Sequence, residues 1–462
     1  EMTNINNDLS LKSISPIDGR YSSQIEQELK DINSEYGLIK KRLYVEITWF
    51  IFLTNLPPIK KKFNLSKSDK QYLLGLIKNF SLKDAIEIKN IEKITNHDVK
   101  SIEYFLKDKF DKRKTLKNKK ELIHFCATSE DINNISYALM YKETRIILLN
   151  KLKELQVIIN KYEIKYADTA MLSRTHGQKA TPTTFGKELK VFSARINKQS
   201  QFMIKREVFA KINGAVGNYN AHHFVLPEIK WNVETKRYLK ELDLTQNEFT
   251  TQIENHDWLS ESLNDINMIS NILLDFSKDM WMYIMLDYIK QKNIKSEVGS
   301  STMPHKVNPI NFENAEGNLE ITSALAQSIS KKLLSSRLQR DLTDSTVLRN
   351  LGVIYAHFYI SIKSLIKGMN KIDINLDKIN DEIDQSWEIL AEPIQTIMRY
   401  YNIENSYDII KNATRGKSID EETIKIIINN CDLNKNVKLK LLKLKPRQYI
   451  GLAKKLTLKK NR

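Results

Sequence analysis

Glycine and proline are scarce in this chain, thirteen and nine among 462 residues, so few tight turns are available to it. Leu, Ile, Lys, Glu and Asn dominate instead, and that composition favours helices. Cysteine is rarer still: Cys126 and Cys431 lie far apart with no CxxC spacing, which argues against a disulfide scaffold or a structural zinc site and for a reducing compartment. The segment Glu1 to Leu11 lacks the apolar core of a signal peptide. The most apolar helical stretch, residues 266–289, is broken by Asp275, Lys278, Asp279 and Asp287, so it does not read as a membrane span. A cytoplasmic protein without a membrane partner is expected. The turn at 213–219, NGAVGNY, lacks a preceding strand and the GxGxxG spacing, so it is not read as a nucleotide loop.

Positive charge is plentiful. The net charge is +17, but most of the excess is Lys spread along the chain, as in Lys60-Lys61-Lys62, without interleaved aromatics or a recognisable binding module. This reads as a solvated basic face, and nucleic acid is not expected as a partner. A helical scaffold or nucleic-acid-binding protein remains the alternative from a different class; its mark is strongly salt-dependent oligonucleotide binding. A chain of this length exceeds one small core, so two or three packed units are expected.

One run stands apart: GSSTMPHKVNP at 299–309, leading into a long helical pattern. Gly299 and the hydroxyl residues make a backbone whose amides can turn toward an anion, and Pro304 breaks any regular element. Asn308 suits a cap and Pro309 a first helical turn, which places Ser300, Ser301, Lys306 and Asn308 beside a helix start. A helix start and a lysine together favour a carboxylate, and a carboxylate beside a serine suggests proton removal from the neighbouring carbon. The plainer alternative is a polar loop that caps a helix.

GSSTMPHKVNP resembles the signature of the fumarase/aspartase superfamily, whose members eliminate fumarate from substituted succinates. Further runs resemble the adenylosuccinate lyases within it: SPIDGRY at 15–21, NHDVK at 96–100, TSED at 128–131, THGQKATP at 175–182 and QRDLTDSTVLRN at 339–350. Each has an ordinary structural reading beside the functional one. Asn96, His97 and Asp98 suit a helix cap, Thr128 and Ser129 head a helix, and Arg340 and Arg349 can pair with Asp341 and Asp344 as a surface network. Asn96 stands where the family commonly has lysine.

The resemblance implies an all-α, three-part chain (1–117, 118–369 and 370–462) whose long central helices assemble into a homotetrameric bundle with shared active sites. It implies Ser300 as general base and His176 as general acid, a role that suits histidine as a residue type because its unperturbed pKa is about 6.5. Arg20, Tyr21, Arg340, Ser345 and Arg349 are implied to hold the nucleotide phosphate. Asn96, His97, Asp98, Thr128, Ser129, Gln252, Ser301, Lys306, Val307, Asn308, Asn314, Thr346, Val347 and Leu348 are implied around the remainder of the substrate. No metal and no organic cofactor are implied. The nearest rival is another fumarate-releasing lyase of the superfamily, such as one acting on argininosuccinate.

Periodicity adds detail. A helix of roughly forty residues is expected from about Asp131 to Asp168, a polar bend over 173–182, and another long helix over 183–212. Leu259, Leu263, Ile266, Ile269, Leu273, Phe276, Met280 and Ile284 form a seam at steps of three and four. Such seams suggest more apolar surface than one chain can bury, hence a homo-oligomer.

Overall fold

The structure is a computed structural model that describes residues 10–292, 302–303, 306–415 and 419–460. Ser300 and Ser301 lie outside the described residues. The fold is all-α with a few short strands. In chain order the elements begin α1 (Gln27–Asn33), α2 (Glu35–Leu53), α3 (Pro57–Lys62), α4 (Lys67–Lys78), α5 (Leu82–Thr95), α6 (Asp98–Asp111) and α7 (Ser129–Lys165). Then follow β1 (Ala170–Thr175), β2 (Gln178–Thr184), α8 (Phe185–Lys205), β3 (Phe209–Ala210), α9 (Asn220–Val225), α10 (Trp231–Glu241), β4 (Thr245–Gln246), α11 (Asp257–Met285) and β5 (Ile289–Gln291). The chain continues through α12 (Ile310–Leu333), α13 (Thr343–Leu348), α14 (Leu351–Asn370) and β6 (Ile372–Ile374) to six short helices ending at Ala453–Thr457.

Two compact units emerge. The first comprises Glu1–Lys151, Gln199–Asn271 and Asn318–Ser361; the second comprises Leu152–Lys198, Ile272–Gly317 and Ile362–Arg462. In the first, α2 is buried along much of its length because Leu43, Val45, Trp49, Phe50 and Leu53 leave hardly any of its faces polar. Trp49 packs edge-on against Tyr238 at 5.1 Å between ring centroids and donates its indole N–H to the Phe125 carbonyl at 3.0 Å. In the second, Ile383, Leu390, Ile394, Met398, Ile410, Ile424 and Ile428 form a separate apolar cluster with Leu172 of β1.

Three expectations change. The stretch 173–182 is a β-hairpin, not a bend. Thr175 pairs with Gln178 across a two-residue turn in which His176 and Gly177 both have positive φ, 52° and 74°, the backbone that suits the twist of antiparallel strands. Because β2 runs through Thr184, the following helix spans 185–205 rather than 183–212. Pro57-Pro58 starts α3, since proline at the first helical position lacks an N–H that would be unpaired anyway. The α11 seam from Leu259 to Met280 is buried inside this chain, with Ile284 half-buried, so that seam by itself calls for no partner. Among the described residues no helix is long and apolar enough to cross a membrane.

Gly37 shows how closely the elements approach. Ser34 caps α2 by accepting from the Gly37 N–H at 3.3 Å, and a Cβ at residue 37 would lie 2.1 Å from the Ile32 carbonyl oxygen at the end of α1. Gly37→Ala should therefore lower stability by about 1–3 kcal/mol, the scale of overpacking a filled contact. Thermal unfolding of the variant, read by circular dichroism, checks this.

Candidate active site

The first unit contains an ion pair with both side chains fully buried, Asp131 in the first turn of α7 and Lys211 after β3, with Nζ 3.0 Å from Oδ1. Asp131 also accepts from the backbone N–H groups of Thr128 at 2.9 Å, Asn213 at 3.2 Å and Gly214 at 3.1 Å. Lys211 donates to the carbonyls of Gly214 at 3.0 Å and Gln252 at 2.7 Å. Buried charges need such saturation, and here it ties the start of α7, the 211–214 turn and the chain at Gln252 into one body.

Above that body lies a pocket of about 520 Å³. It draws His97 and Asp98 from α6, Thr128, Ser129, Glu130 and Asn133 from the head of α7, Gln252, and Arg340, Leu342, Ser345, Thr346 and Arg349 from the segment around α13. The His97 ring caps α6 by accepting from the Lys100 N–H at Nδ1, 3.1 Å away, so in the neutral ring the proton sits on Nε2.

A hydrogen-bonded chain of alternating charge runs through the walls. Arg340 Nη1 meets Glu130 Oε1 at 2.6 Å, and Asn133 donates to the same oxygen at 2.6 Å while accepting from Arg42 Nε at 2.8 Å. Arg42 Nη2 reaches Asp98 Oδ2 at 2.7 Å, and Arg349 Nη2 reaches that oxygen at 3.2 Å. Burial pushes the Asp98 carboxyl up, but the Arg42 guanidinium and a bond from the Val99 N–H outweigh it and hold the group below its ordinary range. Arg340 and Arg349 thus pair with carboxylates, chiefly Glu130, Asp98 and Glu35, more than with the Asp341 and Asp344 of the surface-network alternative.

The other candidates are not among these lining residues. Arg20 is exposed, Tyr21 is half-buried before the short 3-10 turn Ser22–Gln24, and Asn96 is exposed in the left-handed backbone that ends α5. Val347 and Leu348 belong to α13, with Leu348 buried. His176 sits exposed at the hairpin tip in the second unit. Lys306 and Val307 are exposed and Asn308 half-buried; Pro309 accepts from the Glu313 N–H at 3.2 Å just before α12, and Asn314 donates to Ser364 at 2.7 Å. Among the described residues no group of His, Cys, Asp and Glu could hold a metal ion.

A family model described as "Lyase" matches residues 19–321, and one described as "Adenylosuccinate lyase C-terminal" matches 336–450. The chain is 46% identical over 96% of its length to an adenylosuccinate lyase of Buchnera aphidicola and 48% identical over 96% to one of Legionella pneumophila, covering 97% of each. The chain belongs to the adenylosuccinate lyase family. A fumarate lyase structure from Mesorhizobium shares the fold at a TM-score of 0.76 and 15% identity, covering 94% of this chain and 96% of that one.

Some groups in and around this pocket carry no motif signal. Lys211 is a single basic residue in an apolar run and Arg42 ends the basic run Lys40-Lys41-Arg42; either is recognisable as a buried, paired cation only once its partner is known. Glu130 reads from sequence as a first-turn acid and is in fact the buried partner of Arg340. His124, four residues before Thr128, faces the fully buried Glu46 with Nδ1 to Oε1 at 2.6 Å. Burial pushes the His124 pKa down, yet the Glu46 charge and bond outweigh it and leave it raised above 6.5.

Removing one partner of the Asp131–Lys211 pair, as in Lys211→Met, should cost about 3–5 kcal/mol because a buried carboxylate is left uncompensated; chemical denaturation measures it. The raised His124 pKa contributes stability that is fully present below pH 6.5 and is lost as pH rises through the folded-state pKa above it. Glu46→Gln should flatten that part of the stability–pH curve, as urea unfolding on both sides of neutrality would show.

Proposed function

We propose that this chain eliminates fumarate from adenylosuccinate, leaving AMP, and from the succinylated imidazole-carboxamide ribotide of purine synthesis, as a cytoplasmic homotetramer. The observation that carries the reading is the 46% identity to enzymes named adenylosuccinate lyase along 96% of the chain. The pocket supports it. Arg340, Ser345 and Arg349 suit a phosphate, while Thr128 and Ser129 at the positive end of the 37-residue α7 suit a succinyl carboxylate.

In this mechanism Ser300 takes the proton from the succinyl carbon beside the carboxylate. The electron pair moves into that carboxylate, and the resulting dianion is held by Lys306 and Asn308. When it collapses, the carbon–carbon double bond forms, the carbon–nitrogen bond breaks, and His176 supplies the proton that the leaving nitrogen takes away. A serine hydroxyl is a weak base at neutral pH, so the step needs water excluded and positive charge close by. His97 orients the substrate.

Shared sites are what the family resemblance implies, and the charge balance agrees with them. Arg340 and Arg349 in the lining are balanced by Asp98 and Glu130, whereas the substrate carries a phosphate and two carboxylates. The missing positive charge comes, in this reading, from Arg20, Lys306 and His176 of neighbouring copies. Exposed apolar side chains on the long helices, among them Ile146, Val157 and Ile164 on α7 and Met282 and Met285 on α11, suit a tetrameric interface. The three-part division at 117 and 369 belongs to the same proposal.

Ser300→Ala and His176→Ala should each slow fumarate release about 10²–10⁴-fold, followed by ultraviolet absorbance. Near-normal turnover in either variant removes that residue from its role. Release of fumarate from argininosuccinate, malate or aspartate in preference to adenylosuccinate would instead place the chain in another branch of the superfamily.

A further inference from the structure

Arg349, read above as a phosphate ligand, already has both of its terminal nitrogens engaged. Nη2 meets Asp98 Oδ2 at 3.2 Å and Nη1 meets Glu35 Oε2 at 2.8 Å. The two carboxylates differ in how they are held. Asp98 shares its oxygen with the buried Arg42 at 2.7 Å and lines the pocket itself. Glu35 stands in the first turn of α2 and lines a neighbouring cavity of about 700 Å³, whose wall includes Arg349 as well. Its other oxygen, Oε1, meets Lys89 at 3.2 Å on α5.

That arrangement is asymmetric in strength. The Glu35 and Arg349 side chains are each 41% exposed, so their pairing is screened by water and weak. Asp98 is compensated by the buried Arg42, and removing it would leave that cation unpaired. A phosphate approaching Arg349 therefore exchanges with Glu35 and not with Asp98. Lys89 keeps Glu35 compensated through the exchange, because it holds the opposite oxygen.

We propose that Glu35 is an affinity-setting residue: a built-in carboxylate that competes with the substrate's phosphate for Arg349. It lowers the affinity for the phosphate by the cost of giving up an exposed ion pair, a cost that a phosphate dianion meets through paired charged hydrogen bonds. The inference rests on the reading of Arg349 as a phosphate ligand.

Steady-state kinetics of the full-length protein, Glu35→Gln and Arg349→Gln with adenylosuccinate and with its 5′-dephosphorylated nucleoside test both layers. Glu35→Gln should lower the KM for the nucleotide about two- to fivefold, the range expected for releasing an exposed ion pair, and leave the nucleoside's KM unchanged. Arg349→Gln should raise the nucleotide's KM alone. A merely structural role for Glu35 does not tighten binding, and thermal unfolding of Glu35→Gln confirms that the comparison is made on folded protein. If Arg349→Gln weakens the nucleotide while Glu35→Gln leaves its KM unchanged or higher, or shifts both substrates equally, the competitor role is overturned and the phosphate reading survives. If Arg349→Gln leaves the nucleotide's KM unchanged, the phosphate reading itself fails.

Discussion

The buried contact between Asp131 and Lys211 is the constraint on which the first unit's pocket depends. Two opposite charges with no exposed surface are retained only if every remaining donor and acceptor finds a partner, and these partners are backbone groups from three separated segments. The pair therefore acts as a joint. It holds the head of α7 against the 211–214 turn and the backbone at Gln252, so that Thr128, Ser129 and Gln252 share one wall. A hydrophobic pair of the same volume would fill the space without specifying which backbone groups meet there.

Around that joint the pocket is built from compensated charge. Arg340, Glu130, Asn133, Arg42, Asp98 and Arg349 form a continuous series of contacts spanning α2, α6, α7 and the α13 segment. Each guanidinium is held in a fixed plane by a carboxylate or amide, which limits the ordering left to a ligand. The same balance bears on the net charge of +17. Very little of that excess lies in this lining, where two arginines face two carboxylates, so it belongs mainly to the solvated lysines elsewhere.

The hairpin that carries His176 works by a different principle. Its position is set by strand pairing from Ala170 to Thr184 and by two consecutive left-handed residues, not by burial of the histidine itself. Contacts beside its tip fix it to the rest of the second unit: Lys179 donates to Ser386 at 3.1 Å, and Arg174 pairs with Glu382.

Much of this was legible in the residues. Scarce glycine and proline, long apolar periodicities and the TSED, NHDVK and QRDLTDSTVLRN runs settle an all-helical chain and name most of the pocket lining, because helix periodicity, capping and motif identity are local properties. The hairpin at 170–184 was missed because its alternation is short and polar, and a two-residue turn led by histidine lacks the usual Asn-Gly or Asp-Gly signal. Lys211, Arg42 and Glu130 were missed for a deeper reason. What a charged residue contributes is not fixed until its partner is known, and those partners stand 80, 56 and 210 positions away. Sequence by itself determined the helices, their starts and the family's motifs; only the tertiary structure decided which charges are buried together, since pairing energy depends on distance in space and on excluded water rather than on order along the chain.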